Sequence, residues 1–165
     1  VIEDKIVSRE AAVKKAQQWK AAGEKIVFTN GCFDLLHAGH VRYLEKAKAL
    51  GNRLIVGLND DESVRALKGK GRPLQPAEER AAIIAALESV DLVVVFAELT
   101  SAGLLEEIRP EVFVKGGDYT LETLNAVERE TVQKHGGEIV ILPLLGPSTT
   151  ELIERICPQG AHGGQ

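Results

Sequence analysis

Residues 25–44 read Lys-Ile-Val-Phe-Thr-Asn-Gly-Cys-Phe-Asp-Leu-Leu-His-Ala-Gly-His-Val-Arg-Tyr-Leu, an apolar run that gives way to a loop and then to a helical pattern. The β-branched and aromatic content of Lys25–Asn30 predicts a buried strand. Gly39 or His40 opens a helix through Leu50, and Gly51 stands just beyond to end it. A strand feeding a helix through one loop is the first half of a βαβ unit, and the rest of the chain repeats it.

Upstream, Ser8 is placed to cap a helix through Ala22, with Gly23 as its stop. Downstream, Arg53–Asn59 reads as a second strand and Asp60–Leu67 as a short helix. Lys68–Gln75 is the longest irregular stretch, and Pro76 suits the first turn of a helix running to Glu88, where its missing amide hydrogen costs nothing. Asp91–Phe96, Val112–Lys115 and Glu138–Leu142 read as strands, and Ser101–Arg109, Leu121–His135 and Thr149–Ile156 as helices. Near-continuous apolar strands alternating with helices predict an α/β fold: a Rossmann-like doubly wound sheet of about five parallel strands with helices on both faces. Residues 1–24 are expected to be an N-terminal helix packed on a main domain of residues 25–157, with 158–165 a disordered tail.

A chain of 165 residues suits one domain with a real core. Its net charge of −4 and 4% aromatics do not suggest a nucleic-acid surface, so no nucleic-acid partner is expected. No apolar run approaches the roughly 20 residues that span a bilayer, so no membrane partner is expected. The opening residues do not read as a signal peptide. Cys32 and Cys157 form neither a CxxC pair nor a zinc pattern, which fits a reducing, cytoplasmic compartment. Methionine is absent even at position 1, and the sequence leaves open whether native residues precede Val1.

Ligands of such sheets lie beyond the carboxyl ends of the strands, where strand order reverses. The loop after the first strand carries neither GxGxxG nor a P-loop. It carries His37 and His40 around Gly39 at a helix start, where free amides and the helix dipole favour an anion. Imidazole N–H groups add donors for phosphate, and Gly39 lets the backbone approach closely. A plain helix cap with incidental histidines is the alternative, but two of the chain's four histidines three residues apart in this loop favour function. Gly146-Pro147-Ser148-Thr149-Thr150-Glu151 likewise reads as a turn and a helix start, with a partial capping box.

The His37-Ala38-Gly39-His40 tetrad resembles the HxGH signature of the cytidylyltransferase-like nucleotidyltransferase superfamily. The longer run from Thr29 to Leu44, with Lys68-Gly69…Arg72-Pro73…Glu79-Arg80, Lys115-Gly116-Gly117-Asp118-Tyr119 and Gly146–Ile153, is similar to its heptose 1-phosphate adenylyltransferase branch. The matching motifs extend from Lys25 to Ile156. By this resemblance His37, His40, Lys68 and Arg80 are the catalytic set, with Lys68 and Arg80 facing the phosphates. Thr29, Asn30, Gly31, Phe33, Gly39, Gly116, Asp118, Ser148, Thr149 and Thr150 are the nucleotide-binding set, of which Gly116 and Asp118 touch base or ribose. Asn59, Asp60 and Arg72 are placed on the sugar-phosphate side. Where the superfamily often has a basic residue before its second signature, this chain has Leu144-Leu145-Gly146, so the positive charge must come from elsewhere.

The resemblance implies transfer of AMP from ATP to D-glycero-D-manno-heptose 1-phosphate for lipopolysaccharide assembly. Mg²⁺ is expected on the substrate phosphates, with no protein ligand identified, and Asp34 is left between orienting a loop and meeting the metal. A homo-oligomer, and a separate heptose kinase supplying the substrate, are also implied. Alternatives are a transferase acting on another alcohol phosphate such as glycerol 3-phosphate, and a non-catalytic nucleotide-binding regulatory domain. A fragment of a class I aminoacyl-tRNA synthetase is disfavoured by the short acidic chain without a KMSKS-like loop.

Overall fold

A computed structural model describes residues 1–117 and 119–157. Asp118 and the tail 158–165 therefore lie outside the described residues. Five strands, β1 (Ile26–Gly31), β2 (Arg53–Asn59), β3 (Leu92–Phe96), β4 (Val112–Gly116) and β5 (Glu138–Leu142), pair in the order β3-β2-β1-β4-β5, every pair parallel. The order reverses between β1 and β4. The α/β class, the parallel sheet and its doubly wound order agree with the sequence reading.

Alternate residues of each strand serve opposite faces, as a period of two requires. Val27, Leu54, Val56, Leu58, Val93, Val112 and Val114 pack into one core with Tyr43, Leu44 and Ala47 of α2 (Ala38–Lys48) and Ala81 and Ile84 of α4 (Ala77–Ala85). Ile26, Phe28, Ile55, Val94, Phe96 and Phe113 pack into the other. That second core takes Ala12, Ala16 and Trp19 from α1 (Arg9–Ala21), Leu104, Leu105 and Ile108 from α5 (Ala102–Ile108), and Val132 from α6 (Ala126–Lys134). Two further helices complete the described chain: α3 (Asp61–Lys68) between β2 and α4, and α7 (Thr149–Ile156) after β5.

Some boundaries differ from expectation for local reasons. The helix expected from Leu121 starts at Ala126, because Thr120 and Thr123 bond each other's amides in a turn and Asn125 Oδ1 caps the Glu128 amide. The helix expected to reach Glu88 ends at Ala85. A 3-10 turn at Ile2–Lys5 leads into a bridge between Ile6 and Val93, so the N-terminal segment partners the open edge of β3. Among the described residues no helix is long and apolar enough to cross a membrane.

Phe28 is fully buried and Val95 is half-exposed. Phe28→Ala is expected to lose about 3–5 kcal/mol in urea unfolding, and Val95→Ala no more than about 0.5 kcal/mol.

Candidate active site

Two backbone amides bonded to imidazoles build the end of the loop from β1 to α2. His37 caps α2: its Nδ1 accepts the Gly39 amide at 3.1 Å, and the His40 Nδ1 accepts the His37 amide at 3.3 Å. A ring nitrogen that accepts an N–H holds no proton, so each neutral imidazole carries its hydrogen on Nε2. The rings lie 3.9 Å apart between centroids, 30° from parallel, and Phe33 meets His40 edge-on at 5.5 Å. Burial, then repulsion from His37, pushes the His40 pKa down to about 4, and burial lowers that of His37 as well. At neutral pH the motif is a pair of uncharged donors.

Gly39 is needed for a reason other than ligand approach. A Cβ there would collide with the Leu145 carbonyl oxygen and sit 2.8 Å from the His37 ring. Gly39 is buried beneath the segment leading to α7, and it does not line the cleft. That contact brings the starts of α2 and α7 together, supported by Thr149 Oγ1 donating to Leu35 O at 3.4 Å. At α7 the capping box is complete, not partial: Ser148 Oγ accepts the Glu151 amide, and Glu151 Oε2 accepts the Ser148 amide. The box leaves the amides of Thr149 and Thr150 outside it, two of the orphan donors that open any helix.

Asp34 holds the Lys68–Gln75 loop. Its carboxylate accepts from Arg72 Nε at 2.7 Å, the Leu74 amide at 2.8 Å and the Gln75 amide at 3.1 Å. Burial opposes the charge, yet these bonds outweigh it and hold the carboxyl below its ordinary range. Of the two roles left open for Asp34, these bonds display the orienting of a loop.

His37, His40, Asn30, Gly31, Phe33, Asn59, Lys68, Arg72, Gly116, Ser148, Thr149 and Thr150 all line one cleft of about 800 Å³. It runs over the carboxyl ends of β1, β2 and β4, across the point where strand order reverses. Three other expected residues are placed differently. Arg80 is fully buried, donating to the Gln75, Cys32 and Asn59 carbonyls and to Asp61 Oδ1 at 2.7–2.9 Å. It ties these segments together beneath the cleft and does not line it, contrary to the expectation that it faces the phosphates. Thr29 is also fully buried, with Oγ1 donating to Val114 O (2.8 Å) and lying 2.7 Å from Tyr43 Oη, so it joins β1, β4 and α2. Asp60 caps α3 through the Ser63 amide and stays outside the lining. Lys68 is exposed on the cleft wall.

The cleft also holds residues that the sequence reading missed: Lys115, Asn125 and Glu128. Lys115 Nζ donates to Asn30 Oδ1 at 3.2 Å and lies 3.8 Å from Glu128 Oε2. Its position at the end of β4 was the available signal. Asn125 and Glu128 gave none, because the helix read from Leu121 placed both in its interior.

Comparison with known proteins fits this geometry. Residues 28–155 match the family described as Cytidylyltransferase-like. The chain belongs to these cytidylyltransferase-like nucleotidyltransferases. Among its relatives, the bifunctional protein HldE of Pseudomonas aeruginosa (strain UCBPP-PA14) is 56% identical over 142 residues, covering 86% of this chain and 30% of that protein. The bifunctional protein HldE of Acidiphilium cryptum is 53% identical over 153 residues, covering 92% of this chain and 31% of its own length. The chain thus spans about a third of the length of these curated relatives. A similar solved structure is that of the lipopolysaccharide core biosynthesis protein from Thermoplasma volcanium GSS1, with a TM-score of 0.61 and 26% identity, covering 76% of this chain and 99% of that one.

Two outcomes follow from the site. The His40 pKa in the folded protein, about 4, is below the ordinary 6.5, so the unfolded chain binds more protons between those values. Stability is therefore expected to fall as pH drops through that window, and His40→Gln to make the fall shallower, read from urea midpoints at stepped pH. Asp34→Ala strips Arg72 and two amides of their acceptor. It is expected to cost about 1–3 kcal/mol and to open Lys68–Gln75 to trypsin.

Proposed function

We propose that this chain transfers AMP from ATP to D-glycero-D-manno-heptose 1-phosphate, giving ADP-heptose and pyrophosphate for lipopolysaccharide core synthesis. The observation that carries the reading is the pair of neutral Nε2–H donors at the start of α2, set in one cleft with the start of α7. The choice of heptose and adenine rests on the Lys115–Tyr119 and Gly146–Ile153 motifs and on the high identity to the bifunctional relatives.

In this reaction a phosphate oxygen of the sugar attacks the α-phosphorus of ATP. The bond from the α-phosphorus to the bridging oxygen breaks, and pyrophosphate leaves with the electron pair. The attacking phosphomonoester has a second pKa near 6, so it needs no general base at neutral pH. Positioning and electrostatics are left to the protein. His37 and His40 donate to oxygens around the α- and β-phosphates, and the Thr149 and Thr150 amides hold the terminal phosphates. Lys68 supplies mobile positive charge from the wall, while Arg72, paired to Asp34, keeps the loop in place. Gly116 lies against the base or ribose. Asp118 is assigned there with it on the motif alone.

Among the described residues no group of three or more His, Cys, Asp or Glu is arranged to hold a metal ion. Mg²⁺ is proposed to arrive with the triphosphate, bound mainly by phosphate oxygens and water. It would neutralise phosphate charge when bound. A cytoplasmic setting, a homo-oligomeric state and supply of heptose 1-phosphate by a kinase complete the proposal.

The test is pyrophosphate release with ATP, CTP or GTP against heptose 1-phosphate (both anomers) and glycerol 3-phosphate. ATP-dependent release with a heptose anomer is expected. Release only from CTP with glycerol 3-phosphate overturns the substrate, and nucleotide binding with no release in any pairing favours a regulatory domain. His40→Ala is expected to lower kcat by about 10²–10³, roughly 3–4 kcal/mol, with the fold retained by circular dichroism.

A further inference from the structure

The cleft has two chemically different ends. One is assembled from the starts of α2 and α7 and carries the phosphate-binding motifs. The other lies toward the opposite face of the sheet, where α5 and α6 pack with α1. Asn59, Lys115, Asn125 and Glu128 line this second end, and Asn30 stands between the two.

This end is built with care. Glu128 is 2% exposed; its Oε1 accepts both the amide and the hydroxyl of Ser101, at 2.8 and 2.9 Å. Among the described residues its Oε2 meets only the Lys115 ammonium, at the longer distance of 3.8 Å. Lys115 in turn donates to Asn30 and retains donor capacity. Asn59 is 3% exposed, and its Nδ2 is the one buried side-chain nitrogen or oxygen among the described residues with no hydrogen-bond partner. A buried donor without a partner is costly and calls for an explanation, and a ligand in the cleft supplies one.

We infer that Asn59, Lys115 and Glu128 form the subsite for the polyhydroxylated acceptor, with Lys115 meeting its phosphate and Asn59 and Glu128 its hydroxyls. The assignment rests on the transferase reading above. An amide donor, an ammonium and a carboxylate with a free lone pair match a sugar phosphate, whose hydroxyls donate and accept. They do not match the flat apolar faces of a base, for which Gly116, Gly117, Tyr119 and Leu144 offer the more suitable wall. Lys115 stands beside Asn30 at the β1–β4 switch point, and in this assignment it holds the attacking phosphate.

The experiment separates the acceptor from the nucleotide. Asn59→Ala, Lys115→Ala and Glu128→Gln are assayed with ATP and whichever acceptor the wild type turns over. Affinity for a non-hydrolysable ATP analogue is measured by calorimetry without acceptor. The acceptor KM is expected to rise about tenfold or more, while the analogue Kd stays within about twofold. Weakened analogue binding with an unchanged acceptor KM overturns the subsite and gives this end to the nucleoside. Should Glu128→Gln unfold through Ser101, Asn59→Ala decides, since its Nδ2 has no partner among the described residues to lose. If the wild type turns over nothing, the transferase reading fails, and the subsite is judged by calorimetry of heptose 1-phosphate itself. Binding weakened by Asn59→Ala and Lys115→Ala supports it, and absent or unaltered binding overturns it.

Discussion

Two backbone amides donating to two imidazole Nδ1 atoms set the terms for the whole site. These bonds start α2, and in the same stroke they fix which nitrogen of each histidine carries a proton. The helix start would otherwise leave amides unsatisfied, and the rings would otherwise choose a tautomer freely. Because His37 Nδ1 takes the Gly39 amide and His40 Nδ1 takes the His37 amide, their Nε2–H groups remain for a ligand, and burial keeps the rings uncharged at neutral pH. Gly39 then admits the Leu145 carbonyl against α2, which carries the α7 start to the same place. A change in any of these contacts would move the two helix starts relative to each other.

Beneath the site, charge is organised by burial. Asp34 and Arg80 form two anchors, one accepting from the Lys68–Gln75 loop and the other donating to three backbone carbonyls. A buried guanidinium with backbone acceptors is a rigid strut: its donors are spent on the protein, and a substrate phosphate gains nothing from it directly. Among the described residues the cleft is lined by the cations Lys68, Arg72 and Lys115, of which Arg72 is paired to Asp34 and Lys115 is restrained by Asn30 and Glu128. The reaction proposed for this cleft brings anions together, and its positive charge is delivered at separate points along the cleft, not from one basic loop.

The strands, their parallel order and the HxGH loop were legible in the sequence because each rests on a local signal: apolar runs bounded by glycine, and a histidine pair at a helix start. What was not legible depends on long-range packing. Arg80 and Thr29 lie within recognisable motifs, yet only the tertiary structure shows that both turn inward to tie loops and strands. Asp60 looked like a ligand residue and is a helix cap, a distinction a single sequence does not carry when Asp serves both purposes. Lys115 and Glu128 are 13 positions apart along the chain, and their pairing follows from how α6 docks beside β4. The Thr120–Thr123 turn hid them further by imitating the first turn of a helix.

The most direct measurement is the nitrogen-15 imidazole spectrum at neutral pH, free and with a non-hydrolysable ATP analogue. The account predicts Nδ1 unprotonated and Nε2 protonated for both His37 and His40 in the free protein, with both Nε2 signals moving when the analogue binds. Charged rings or Nδ1–H tautomers in the free protein, or Nε2 signals that ignore the analogue, would contradict it.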